Sequence, residues 1–381
     1  MGSPHFRRAL LAIALLLIAG CTGKVPAPTW PTHGWPTATP EEQGMDSWQL
    51  ADMLSVIQAQ RLAIDSVLVA RRGYLVADAY VYPFSQGRQH TVYSCTKSVV
   101  SALIGIAIDR GYIESVEQPV LELLPGQSAA HLDGDKARMS LEHLLTMSTG
   151  LDCRDSYLYG WRGLREMRQS QDWVQFVLDL PMAVPPGSTF EYCNGASLLL
   201  SAILQQATDV NALAFAQDHL FKPLGISGVT WPTNPQGVTI GYSELHMTPH
   251  DMAKIGHLYL NKGQWDGVQV VPAAWVEAST RKHIPATLQD GYGYQWWTDD
   301  SGYYMALGYA GQFIFVVPKA DLVVVFTSHL EDEDFYAPQR LLDEYIIPAV
   351  RSSTSLPPDP QGVALLDSGT KALSQRPSDE R

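Results

Sequence analysis

Strand-patterned segments stand at both ends of this sequence, and the stretch between them reads as helix. Residues 66–71 and 74–82 alternate apolar and polar positions as strands do, and Arg72-Gly73 between them is a hairpin signal. Near the other end, residues 303–307, 312–317 and 322–327 form three further strand runs with turns at 308–311 and 318–321. Residues 48–60, 94–110 and 248–263 carry helical patterns with polar or capped starts, and residues 110–209 are mostly helical pattern broken by Pro and Gly. Such a chain closes its two ends into one antiparallel sheet and leaves its middle as an inserted lobe. The expected fold class is α/β (α+β): an antiparallel sheet built from N- and C-terminal segments, flanked by helices, with an inserted, mostly helical lobe. A last helix is expected over residues 338–350, followed by a Pro/Ser-rich polar tail, residues 351–381, expected to be disordered.

The first 40 residues concern address rather than fold. His5-Phe6-Arg7-Arg8 is a basic n-region, and residues 9–19 are an apolar run too short to span a bilayer but of signal-peptide proportions. The run closes on Leu17-Ile18-Ala19-Gly20-Cys21, which resembles a bacterial lipobox; the alternative is a plain signal peptide with an incidental Cys. Residues 1–20 are expected to be a signal peptide and residues 21–40, VPAPTWPTHGWPTATP at their core, an extended tether. That order implies a lipid on Cys21 and a bacterial cell-envelope protein, held at the outer membrane and facing an oxidising periplasm. Residues 41–350 are left as the folded domain. The formal charge of −13, without a basic stripe, argues against a nucleic-acid partner, and none is expected.

With Cys21 committed to lipid, Cys95, Cys153 and Cys193 remain, so at most one disulfide and one odd thiol. A Cys153–Cys193 bridge is a candidate pairing and stays open at this point. No C-x-x-C or H-E-x-x-H spacing suggests zinc. His246 and His250 stand four apart, but Thr248-Pro249-His250-Asp251 reads as a helix cap with proline at its first position, not as a metal pair. No metal and no cofactor are expected.

The chemistry begins at TVYSCTKSVVSALIG, residues 91–105. Ser suits a helix start, and a Lys three residues later lies one turn along the same face. Ser94 and Lys97 can therefore meet where free backbone N–H groups favour developing negative charge. The S-x-x-K spacing is cheap, recurring at Ser279/Lys282 and Ser368/Lys371. A second piece is Pro186-Gly-Ser-Thr-Phe-Glu-Tyr192-Cys-Asn194, a polar loop between a Pro/Gly turn and a helix, where functional residues concentrate. Tyr259-Leu-Asn261 repeats the Tyr-x-Asn spacing but sits inside a regular helical run.

Four motifs in order, Ser94-Cys-Thr-Lys97, Leu144-Leu-Thr-Met-Ser-Thr-Gly-Leu151, the Tyr192–Asn194 loop and Met247-Thr-Pro-His-Asp-Met-Ala253, resemble the serine β-lactamase-like hydrolases over residues 39–349. The class C β-lactamase, esterase and aminohexanoate-oligomer hydrolase branch is the most similar. The resemblance implies a β-lactamase/transpeptidase-like fold, Ser94 as nucleophile, Lys97 and Tyr192 as base and proton shuttle, and Asn194 as a polar positioner. A Ser hydroxyl needs such a neighbour, and a Tyr can serve only where a cation favours its phenolate. The family's K-T-G or H-x-G strand motif is absent. The corresponding stretch reads Gly308-Tyr309-Ala310-Gly311-Gln312, a G-x-x-G-Q form, so the oxyanion hole would be the N–H groups of Ser94 and Tyr309, with Gly308, Gly311 and Gln312 positioning substrate. Aromatic stretches Tyr157-Leu-Tyr159-Gly-Trp161 and Tyr292-Gly-Tyr294-Gln-Trp296-Trp297 are candidates to line an apolar cleft or to fill the core.

The expected function is hydrolysis of a small ester or amide through an acyl-enzyme. The rivals are a true β-lactamase or D-Ala-D-Ala carboxypeptidase, against which the absent K-T-G argues, and a non-catalytic envelope binding protein on the same fold. Physiological substrate and oligomeric state are not written in the sequence.

Overall fold

Local signals set the first elements in the computed structural model, which describes residues 30–155 and 160–376. Asp46 accepts the N–H groups of Trp48 and Gln49 and so starts α1 (Ser47–Gln60). After it, β1 (Ile64–Arg71) and β2 (Tyr74–Tyr80) turn at Arg72 and Gly73, both with positive φ, as a tight hairpin requires. Next come α2 (Cys95–Asp109) and the lobe helices α3 (Leu141–Leu145) and α4 (Asn194–Thr208). The chain then returns through α5 (Pro249–Leu260), capped by the Thr248 hydroxyl with Pro249 at its first position.

Five more strands complete one seven-stranded antiparallel sheet: β3 (Gly291–Tyr292), β4 (Trp297–Thr298), β5 (Tyr304–Gly308), β6 (Gln312–Val317) and β7 (Leu322–Ser328). The order is β2-β1-β7-β6-β5-β4-β3, so the N-terminal hairpin joins the C-terminal strands through the β1–β7 pair, Val69 opposite Val324. Every residue of β1, β6 and β7 is buried, so both faces of the sheet centre are covered. α5 lies on one face, its Gly256 so close to Val323 and Ile314 that a Cβ would collide with both. Alternation sends Phe313, Phe315 and Phe326 to the other face, where their rings pack together. This is the α/β architecture expected from the sequence, with an antiparallel sheet drawn from both chain ends.

Three expectations at the chain ends need correction. The tail is not featureless: α6 (Pro360–Leu373), capped by Asp359, packs on α1 and β2 and buries Leu366 and Leu373. Its prolines end at the first helical position, where a missing N–H costs nothing, and Val363, Leu366, Thr370 and Leu373 then recur on one face. The proline-rich tether, from Trp30 onward, lies on the domain. Pro36 and Ala38 exchange hydrogen bonds with Leu75 along the edge of β2, and Trp30 packs on His257 and Trp265. Extended backbone is what a sheet edge accepts as a partner, which is why proline content did not free it. Residues 1–29, and with them Cys21, lie outside the described residues. Finally, the helix expected over 338–350 divides at a π-turn, Leu342–Ile346. Pro348 offers no N–H to the Glu344 carbonyl, which accepts the Gln49 side chain instead.

A buried amide locks the lobe to α2. Gln295, between β3 and β4, accepts the Ser197 hydroxyl from α4 at 2.7 Å. Its Nε2 donates to the Leu144 and Leu145 carbonyls of α3, and its carbonyl accepts the Ser98 hydroxyl of α2. Gln295→Ala strands the buried Ser197 hydroxyl and leaves the Leu144 and Leu145 carbonyls with only their backbone donors, the N–H groups of Met147 and of residue 295. It is expected to lower unfolding free energy by about 2–4 kcal/mol in urea titration. A loss below about 0.5 kcal/mol would remove Gln295 from this role.

Candidate active site

Ser94 is the N-cap of α2, and its side chain makes no cap bond, so the hydroxyl remains available. Tyr93, in front of it, has φ of 44°, a left-handed conformation that bends the chain sharply into the helix. One turn on, Lys97 is 1% exposed and its ammonium is surrounded. Nζ donates to Ser94 Oγ at 3.0 Å, Asn194 Oδ1 at 2.9 Å and the Tyr242 carbonyl at 2.7 Å. It also sits 4.8 Å from the centre of the Tyr192 ring and 5.9 Å from that of Tyr242. Burial lowers the Lys97 pKa to about 7, against the attraction of Asp155. A base of that pKa within hydrogen-bond reach of a hydroxyl can take its proton at neutral pH.

The Tyr192 loop is held from beneath by the Leu144–Leu151 motif. Glu191 N–H bonds the Met147 carbonyl and Gly187 N–H the Ser148 carbonyl. Gly150 has positive φ and no room for a Cβ, which would meet the Val184 carbonyl at 2.2 Å. A disulfide joins Cys153 to Cys193, tying the end of that motif to the residue between Tyr192 and Asn194. Tyr192 then stacks on Trp297 at 5.9 Å.

On the sheet side, β5 ends at Gly308, where a Cβ would lie 2.5 Å from the Val92 carbonyl. Only glycine brings the strand end against the segment leading into Ser94. Tyr309 follows in a short helical turn, 49% exposed, its ring edge-on to Tyr93. Ser94, Tyr192 and Tyr309 therefore line one cleft of about 110 Å³, with Trp161, Leu288, Trp297, Leu307 and Phe335 as its apolar walls.

Gln312 is buried at the strand end, its Nε2 donating to the Ser328 carbonyl at 2.5 Å and its Oε1 accepting Ser328 N–H. Gly311, at φ of 86°, presses on Leu330 and Ser328 and belongs to the same turn lock. Both shape the strand end, because a buried amide with its partners filled has nothing left to offer a ligand. Asn194 is likewise buried, and its Oδ1 accepts the Lys97 ammonium. Of the aromatics, Trp161 and Trp297 line the cleft, Tyr292 backs Trp297 edge-on, and Tyr294 and Trp296 are core; Tyr157 and Tyr159 lie outside the described residues. Ser279 is fully buried and bonded to the Val276 carbonyl, and Ser368 and Lys371 lie on α6. His250 pairs with Asp78 and His246 with Thr91, and no acid, His or Cys cluster among the described residues has metal-binding form.

Sequence reading missed Asp155, which lines the cleft and is 3% exposed. Its oxygens accept the N–H groups of Leu164 at 2.5 Å and Asn194 at 2.9 Å, and burial raises its pKa. It also missed Tyr242, whose carbonyl is one of the three acceptors of Lys97. An acid two residues past Cys153 was the only linear hint of the first, and nothing linear marked the second.

Comparison with known proteins adds family. The family described as Beta-lactamase matches residues 42–345. The 6-aminohexanoate-dimer hydrolase of Paenarthrobacter ureafaciens is 26% identical over 360 residues, 87% of each chain. Among solved structures, EstCE1, a hydrolase with promiscuous acyltransferase activity, aligns with a TM-score of 0.66 at 17% identity, covering 78% of this chain and 99% of its own. Simvastatin synthase from Aspergillus terreus aligns at 0.60 and 14%, covering 80% and 99%. These likenesses carry the fold.

The disulfide closes a 40-residue separation across the two site segments. Replacing both Cys153 and Cys193 by Ser is expected to cost about 2–4 kcal/mol of stability. Hydrogen exchange should accelerate across residues 146–155 and 186–196, with the sheet unchanged. Uniform protection in both regions would show that the staple does not hold the site.

Proposed function

Because the chain belongs to the beta-lactamase family, matched over residues 42–345, we propose that it is a serine hydrolase cleaving esters or amides through an acyl-enzyme on Ser94. The observation that carries the reading is the 3.0 Å bond between Ser94 Oγ and a Lys97 whose pKa is pushed down to about 7. Neutral Lys97, with Tyr192 beside it, takes the hydroxyl proton as Oγ attacks the substrate carbonyl. The N–H groups of Ser94 and Tyr309 hold the oxyanion. Collapse expels the alcohol or amine, which receives the proton back, and water then repeats the sequence on the acyl-enzyme. A fluorophosphonate probe should label the wild-type protein and leave Ser94→Ala unlabelled; retained labelling in that variant would sink the reading.

The cleft favours an uncharged, apolar acyl group. Trp161, Trp297, Leu288, Leu307 and Phe335 surround it, and no Lys, Arg or His is among the described residues lining it. A carboxylate-bearing β-lactam forfeits a charge-assisted contact of about 1.5–3 kcal/mol, or about tenfold to a hundredfold, that a simple ester never needed. On one preparation, kcat/KM for p-nitrophenyl butyrate should therefore exceed that for nitrocefin. Nitrocefin ahead by about tenfold would make the protein a β-lactamase instead.

We also propose a lipid on Cys21 and an envelope location facing the periplasm, on the order of basic region, apolar run, Cys and tether in residues 5–40. Intact mass of the mature chain should carry the acyl groups; an unmodified Cys21 would refute it.

A further inference from the structure

Asp155 makes no bond to Ser94 or Lys97 that would give it a part in proton transfer, yet it is the buried acid of the cleft. Its carboxylate spans two backbone N–H groups, Leu164 on one side and Asn194 on the other. Asn194 heads α4 and turns its Oδ1 to Lys97 Nζ. A relay of contacts thus runs from Asp155 through Asn194 to Lys97 and on to Ser94, stapled alongside by the Cys153–Cys193 bridge. Gly163 is required at the same place: a Cβ there would strike the Cys153 carbonyl and approach Asp155 Oδ1 at 2.9 Å.

We propose that Asp155 is a positioning residue for the hydrolytic reaction: its carboxylate holds Asn194 against Lys97 and keeps a negative charge beside the Lys97 ammonium. The inference rests on the reading of Ser94 and Lys97 as nucleophile and base. Charge and geometry act in opposite senses here. Burial drives the Lys97 proton off, and Asp155 is the foremost group that opposes it. Lys97 faces Ser94, Cys95, Tyr192 and Tyr242; Asp155 faces Lys97, Glu191 and Tyr242. Beyond Tyr242 lie Arg168 and Glu244, paired with each other, and beside Glu191 lies Asp152, paired with Arg154. Among the described residues, Asp155 is thus the foremost acid acting on Lys97.

The test is the pH profile of kcat/KM for p-nitrophenyl butyrate, on full-length protein, in wild type, Asp155→Asn, Asp155→Glu and Ser94→Ala. Removing the charge while keeping the shape lets Lys97 deprotonate at lower pH, so the acidic limb of Asp155→Asn should move down by about one unit. Its plateau should fall at least about tenfold as Asn194 loses its anchor. Asp155→Glu keeps the charge, so its limb should stay at the wild-type position even where the plateau drops. Ser94→Ala separates the two claims. If that variant still hydrolyses the ester, the hydrolase reading itself falls. If it is inactive while Asp155→Asn keeps the wild-type limb, only the role of Asp155 is overturned. Should Asp155→Asn fail to fold, a limb displaced by more than about half a unit in Asp155→Glu would equally overturn it.

Discussion

An ammonium group removed from water costs several kcal/mol unless its protons find acceptors, and Lys97 finds three. They come from separate parts of the chain: the start of its own helix, the head of α4 more than ninety residues on, and the carbonyl of Tyr242 before α5. Satisfying that one group therefore fixes how the lobe sits on α2 and where the returning chain passes. Gln295 repeats the constraint one layer deeper, with three helices sharing a single amide and its backbone. Burial that completes the hydrogen bonds also lowers the proton affinity of Lys97, so the same arrangement that closes the core prepares a base.

The sheet supplies the other wall. Gly308 ends β5 against the Val92 carbonyl, and the Gln312–Ser328 bonds hold the turn that follows in place. One wall of the cleft is built from α2 and the lobe, the other from the strand end, and the two meet across an apolar space.

Most of the architecture was legible because it rests on local periodicity. The three C-terminal strands, the hairpin at Arg72-Gly73, and the starts of α2 and α5 follow from alternation, turn residues and caps. Ser94, Lys97 and Tyr192 were legible because their motifs occur in order, and the structure brings all three together. What stayed hidden depends on neighbours remote in sequence. Asp155 means nothing until Asn194 is beside it, and Gln312 looks like a polar loop residue until Ser328 fills its amide. The C-terminal helix was hidden for another reason. Its proline-rich lead-in masked a short apolar face that becomes stable only against α1 and β2.

The property on which the account turns is the titration of Lys97 near neutral pH. It can be read without substrate, by following the side-chain signals of selectively labelled lysine in NMR spectra across pH 5–11, with Lys97→Met to assign the resonance. The account predicts one buried lysine titrating close to pH 7, far below the surface lysines. A Lys97 that keeps its proton beyond about pH 10, as an ordinary lysine does, would contradict it.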